Sequence, residues 1–383
     1  MRRILSTLSC LVILSACGGQ AAAPSAQPST GAATTSAAAA SPASAASTNA
    51  STAAKPAASG LASAKPAAGG SAAAKPVASG AMLIPFSQPA AAFAPTWLAV
   101  QQGLFAKYGI NADVRNLQPP TDVQSVVSGE APMGVDGSLG IGAIASGAGI
   151  TYIAVPGPIF TQSVFAGPNT GIQDLKGLVG KSVAVTSRGG SSDNALHSVL
   201  AKEGVDATKV NFVYLRDDSA ILASLTSGAV QAAILTSPNT LRAKQAGLKE
   251  LVYMPPLKLQ TVNNGIVANK AYAAQHPDVV ENFLKAYIEA IKIARTDPDT
   301  TKKAITAYTK VDDPALLDES YKTSLTLWVP YPRMNDAEFQ NVMDLAVEPS
   351  VRTHKPSEFY DNSYLDKLQD FVKTLYPEGL PSA

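Results

Sequence analysis

Cysteine is nearly missing from this 383-residue chain: Cys10 and Cys17 are the whole complement, both within the first seventeen residues. Everything downstream of Cys17 is therefore expected to fold without a disulfide. Histidine is scarce too. The three, His197, His276 and His354, show no metal-ligand spacing, and no metal site or other cofactor is expected. Charge is sparse, at 15% of residues and a formal net charge of +1. That near-balance hides an asymmetry. Arg2, Arg3, Lys55, Lys65 and Lys75 all precede residue 81 with no acid among them, so the remainder sets 25 basic against 29 acidic residues, a formal −4. No basic stripe is left, which excludes nucleic acid as a partner. The one leading apolar run, residues 4–15, is too short to cross a bilayer stably.

What is present begins with that run. MRR is a positive leader, residues 4–15 form a short apolar segment, and LSAC places Cys17 at the end of a lipoprotein cleavage box. Residues 1–17 read as a signal with Cys17 as the lipidated residue; the alternative is an ordinary secretory signal with a chance cysteine. Residues 18–80 are almost wholly Ala, Ser, Thr, Pro and Gly, with near-repeats AKPAASG, AKPAAGG and AKPVASG. Such a composition cannot bury a core, and as a flexible coil it spans on the order of 40 Å. It reads as a tether or, by the same physics, a glycosylated stalk.

From residue 81 onward, apolar β-branched runs alternate with helical patterns: MLIPF, PTWLAVQQGLFAKYG, INADVRNL, TDVQSVVSGE, MGVDG, SLGIGAIASG, ITYIAVP. This alternation argues for an α/β sheet. Thr121 and Gln124 have the spacing of a capping box. The plan starts again at KSVAVT, and the two copies share an echo, SGEAPMGVDGS at 128–138 and SGAVQAAILTS at 227–237. Two similar lobes imply a cleft, and ligands of open α/β sheets sit beyond the carboxyl ends of the strands. Those ends carry Ser87 and Gln88, Asp136 to Ser138, Ser187 to Asp193, Arg216 to Ser219, and Thr236 to Asn239.

PTWLAVQQGLFAKYGINADV, SVVSGEAPMGVDG, DLKGLVGKSVAVTSRGGSSDNAL and NGIVANKAYAAQHPDVVENFLKAY together resemble the substrate-binding lipoproteins of the nitrate/sulfonate/taurine class of ABC importers, an NMT1/THI5-like group that includes pyrimidine-precursor binders. One departure is that Pro132, Met133 and Gly134 replace a frequent Asp-Ile-Gly, while Asp136 stands at a usually small position. The resemblance implies a two-lobed type II periplasmic-binding fold, each lobe a mixed sheet flanked by helices. Lobe 1 would comprise residues 81–170 and 262–383 and lobe 2 residues 171–261, with the tail packed on lobe 1. It also implies a monomer that carries a small solute to permease and ATPase subunits and meets the membrane only through its lipid.

The turn SRGGSSDNAL, residues 187–196, stands where a strand hands over to a helix. Free helix N–H groups, the hydroxyls of Ser191 and Ser192 and the planar fork of Arg188 could hold a carboxylate or sulfonate. Alternatively Ser191 only caps the helix and Arg188 is solvated; Asp193 in the first turn already answers the dipole. Trp97 is either a ligand wall or core, Asp136 meets a ligand amine or backbone N–H groups, and Arg216 meets ligand or its neighbours Asp217 and Asp218. The expected ligand-binding set is Gln88, Phe93, Trp97, Asp136, Ser138, Gln162, Ser187, Arg188, Gly190, Ser191, Ser192, Arg216, Ser237, Asn239 and Asn264. The expected solute is a small organic anion, with a neutral pyrimidine-type thiamine precursor as the alternative. No catalytic residues are expected. The Cys-rich, His-using pattern of the related pyrimidine synthases is absent, as are Ser-His-Asp, paired-carboxylate and phosphate-loop motifs.

Overall fold

The computed structural model describes residues 80–346 and 348–381. The signal segment, Cys17 and the tether up to residue 79 lie outside the described residues. Lobe 1 opens with β1 (Met82–Phe86), α1 (Ala94–Gln101), α2 (Leu104–Lys107), β2 (Ala112–Asn116), α3 (Thr121–Val127), β3 (Met133–Asp136), α4 (Leu139–Ala145) and β4 (Ile150–Ile159). Lobe 2 holds β5 (Ser163–Ala166), β6 (Ser182–Val185), α5 (Ser191–Lys202), β7 (Asn211–Tyr214), α6 (Asp218–Thr226), β8 (Ala232–Leu235), α7 (Asn239–Gln245) and β9 (Lys249–Tyr253). The chain returns along β10 (Gln260–Asn269) and finishes in α8 (Lys270–Gln275), α9 (Pro277–Thr296), α10 (Pro298–Thr309), α11 (Pro314–Leu325), α12 (Asp336–Leu345), α13 (Ser363–Asp366) and α14 (Gln369–Leu375).

The strand orders are β2-β1-β3-β10-β4 and β7-β6-β8-β5-β9. In each sheet three strands run parallel, and the antiparallel member beside them, β10 or β5, is the one that follows a crossing between the sheets. The sequence echo is thus a structural repeat. Both Gly129 and Gly228, which end α3 and α6, take φ +79°, a left-handed turn that glycine adopts without steric cost. The first crossing differs from the sequence expectation. Ser163–Ala166 already pairs with β8 and β9, so the chain enters the second sheet between Ile159 and Ser163, not near Thr170. Gly157 and Pro158 stand between ITYIAVP and SVFA, yet β4 runs on through them to Ile159, so these breakers do not mark the crossing. The Thr121–Gln124 capping box also does not form: Pro120 holds the N-cap position, with no side-chain oxygen to offer.

The C-terminal helices close the lobe 1 core. Along α9, Val280, Phe283, Leu284, Tyr287, Ile288 and Ile291 recur three or four residues apart and are all buried. Each large apolar side chain so buried contributes about 1.5–3 kcal/mol. Phe105 meets Phe283 at 5.2 Å, and Leu365, Leu368 and Val372 of the tail join the same cluster. Trp97 is 0% exposed, stacked 4.7 Å from Tyr308 and edge-on to Phe86. The sheets are knitted where they cross: Gln162 Nε2 donates to Asn263 Oδ1 at 2.9 Å, and Asn263 Nδ2 to Thr161 Oγ1 at 3.3 Å.

Candidate functional site

The carboxyl ends of β1 and β3 in one lobe and of β6 and β8 in the other converge on a cleft bordered by these crossings. The cleft is nearly shut. Its centre, about 30 Å3, lies between Gln88, Phe93, Asp136, Ser187, Asp218 and Thr236. A second space of about 30 Å3 reaches Asn264 and Leu327, and a third of about 70 Å3 reaches Asn239, Arg242 and Val311. Gln88 and Thr236 border all three, so they form one row along the lobe boundary.

The quoted turn is built by local bonds. Gly190 occupies the N-cap position of α5, with Ser191 the first helical residue. Ser191 is therefore not the cap; its hydroxyl donates to the Asn263 carbonyl in the other lobe at 3.2 Å. Ser192 Oγ accepts from Thr186 N at 2.8 Å and pairs with the Thr186 hydroxyl at 2.7 Å. Asp193 answers the dipole from within, accepting from Gly189 N at 2.8 Å and from Tyr214 Oη at 3.3 Å. Burial raises its carboxyl, and the Gly189 bond and His197 oppose the rise. Ser138 spans the cleft to the Gly189 carbonyl at 3.0 Å and accepts from Asn194 Nδ2 at 2.7 Å. Ser187 Oγ is buried without a protein partner, and a Cβ at Gly190 would stand 2.6 Å from it.

Arg188 does not line the cleft row. Its Nε meets Glu348 at 3.2 Å, with both side chains about half exposed. That pair stands on the rim of a larger, mostly apolar cavity of about 550 Å3 between α3, α4, α12 and residues 188–194. Trp97 is likewise outside the row, since its helix turns it into the lobe 1 core. Arg216 takes a left-handed φ of +62°, is exposed, and borders none of the three spaces. Gln88, Phe93, Asp136, Ser138, Gln162, Ser187, Gly190, Ser191, Ser192, Ser237, Asn239 and Asn264 do border the row. Asn264 is 3% exposed, and its Nδ2 has no protein partner.

The residue that sequence reading passed over is Asp218. In the run RDD, Asp217 caps α6 by accepting from Ala220 N at 2.8 Å. Asp218 turns toward the next strand, where its Oδ2 accepts from Thr236 Oγ1 at 2.8 Å and Asn239 Nδ2 at 2.9 Å. Burial pushes this carboxyl up to about 6, with those bonds pulling the other way. Asp136 is 2% exposed; it accepts from Gly140 N at 3.1 Å, and burial raises it. The adjacent Asp122 on α3 is raised first by burial and then by the Asp136 charge, so this pair retains a proton near neutrality. A signal for Asp218 existed: of two acids at a helix start, only one can serve as cap.

Among the described residues no helix is long and apolar enough to cross a membrane, and no group of three or more His, Cys, Asp or Glu could hold a metal.

Two five-stranded mixed sheets, each with the same strand plan and joined by two crossings beside a polar cleft, define a two-lobed periplasmic-binding fold. A family profile described as NMT1/THI5 like matches residues 90–301, and the chain belongs to that family. A putative binding protein of Brucella abortus (strain 2308) is 25% identical over 232 residues, covering 59% of this chain and 70% of its own length. The periplasmic aliphatic sulphonate binding protein SsuA of Escherichia coli superposes with a TM-score of 0.59 at 21% identity, over 73% of this chain and 92% of that one. The periplasmic nitrate-binding protein NrtA of Synechocystis PCC 6803 gives 0.63 at 15% identity, over 79% and 91%. The fold also serves chemistry elsewhere: the desulfurization enzyme DSZB gives 0.55 at 15%, over 76% and 99%.

Proposed function

We propose that this chain is the extracytoplasmic solute-binding component of an ABC importer. It is held at a membrane by lipid on Cys17 and the tether of residues 18–80, and it acts as a monomer. A small polar solute enters the cleft when the lobes part, is enclosed when they shut, and is handed to permease and ATPase subunits. The observation that carries this reading is the convergence of strand ends from both lobes on one polar row next to the Thr161–Gln162–Asn263 crossing. Hydrogen-bonding side chains from two bodies that share a pair of crossings suit a hinge clamp. A catalytic reading has less support because no histidine, lysine or cysteine borders the row and Ser187 meets no base. The expected anion finds little support, because Arg188 is engaged with Glu348 and two carboxyl groups stand in the central space. A thermal-shift screen of the purified protein tests the reading. A specific solute at a hundred times its Kd should add about 2.7 kcal/mol of stability. A panel of sulfonates, carboxylates, amines, pyrimidines and nitrate with no stabilising member would count against it.

A further inference from the structure

The charge inventory of the cleft row points to a solute class. In the central space the ionisable side chains are Asp136 and Asp218, with no lysine, arginine or histidine beside them. The space toward Asn264 has no charged side chain at all. The third space adds Asp217, which caps α6, and Arg242, which donates to Asn239 Oδ1 at 2.9 Å, one charge of each sign that leaves the balance of the row negative. A closing cleft removes water, so an uncompensated carboxylate in it is costly until it meets a positive or donating partner. Asp218 is poised for one. Every protein bond to it falls on Oδ2, from Thr236 and Asn239, which leaves Oδ1 as an acceptor at a wall shared by two of the spaces.

A second observation is independent of charge. Asn264 is 3% exposed and borders the row, yet its Nδ2 donates to no protein atom. A buried amide donor left unmatched costs its full desolvation, a cost that an acceptor brought to it would recover. Phe93 and Leu327 supply apolar wall near it. The row therefore favours a molecule with a donor-rich positive end at Asp218 and a polar remainder directed along Gln88 and Thr236 toward the space that Asn264 borders.

We infer that the cleft selects a small organic cation, a protonated amine bearing a hydroxyl or carbonyl oxygen, with its N–H groups on Asp218 Oδ1 and its oxygen toward the polar side chains of the space that Asn264 borders. This rests on the solute-binding reading above and narrows it. An anion is repelled by Asp218, and a neutral isostere leaves that carboxylate without a counter-charge.

The test uses charge-matched probes on the purified wild-type protein at neutral pH. Melting temperature and calorimetric affinity are measured with ethanolamine and 3-aminopropanol, with ethanesulfonate and propionate, and with ethylene glycol and acetamide. The amino alcohols should stabilise the protein and the other four should not. Asp218→Asn should weaken amino-alcohol binding at least tenfold and Asn264→Ala several-fold, while Arg188→Ala changes it less than twofold. Stabilisation by the anions or the neutral probes alone overturns the inference and leaves the solute-binding reading standing. Binding of amino alcohols that Asp218→Asn leaves unchanged also overturns it. If no solute of any charge binds, here or in the wider panel, both fall together. The wild-type comparison decides the charge class even if Asp218→Asn does not fold.

Discussion

Ser191 Oγ donates to the Asn263 carbonyl across the lobe boundary at 3.2 Å, in a space left by the missing side chain of Gly137. A Cβ on Gly137 would overlap Ser191 Oγ and stand 3.3 Å from the Asn263 oxygen. Gly137→Ala should therefore hold the cleft ajar. Solute affinity should fall about tenfold or more, equivalent to about 1.4 kcal/mol per tenfold, with little change in unliganded stability. Calorimetry on the two proteins checks this, and unchanged affinity would show that full closure is not required.

The lobes also meet at Ser237 and Ser320, whose hydroxyl oxygens are 2.9 Å apart, with Thr240 donating to Glu319 at 3.0 Å nearby. Replacing both serines by cysteine should allow a disulfide that pins α11 to the start of α7. The oxidised protein should neither take up nor release solute, and a reductant should restore exchange. Free exchange in a demonstrably oxidised sample would mean that this contact is not part of the moving boundary.

Asp218 makes stability depend on pH in a definite direction. Its folded value, about 6, exceeds its ordinary 3.8, so the protonated carboxyl favours the folded state. That contribution is fully present below about pH 4 and is lost as pH rises through about 6. Screened at a half-buried site, it amounts to on the order of 1–2 kcal/mol. Denaturant unfolding from pH 4 to 7 should show the wild type losing stability relative to Asp218→Asn. Parallel curves would contradict the assignment.

Trp97 separates core from cleft. With its ring against Tyr308 and Phe86, Trp97→Ala should cost about 3–5 kcal/mol. Trp97→Phe should leave solute affinity unchanged, since the ring reaches none of the cleft spaces. A large affinity loss in the Phe variant would return Trp97 to the site.

The sheet plan was legible in the sequence because alternation and turn chemistry are local. The runs KSVAV and MGVDG became β6 and β3 with their polar ends at the cleft. The crossing before Ser163–Ala166 was not, since strand partnership is a long-range choice that a four-residue run does not announce. The direction of long side chains was hidden for the same reason. Arg188 leaves the cleft because Glu348, 160 residues later, lies within its reach, and Asp218 enters it because Thr236 and Asn239 hold its other oxygen. The turn offers Ser191 as a ligand donor or as a helix cap; the cap is Gly190 one residue earlier, and the Ser191 hydroxyl goes to the other lobe.

The central claim is that two lobes close on a solute, and small-angle scattering of the purified protein with and without a saturating stabilising solute tests it most directly. The account predicts that the liganded profile matches the shut form described here, while the unliganded protein has a larger radius of gyration and a broader distance distribution. Superimposable profiles, with binding confirmed in the same samples by calorimetry, would contradict it.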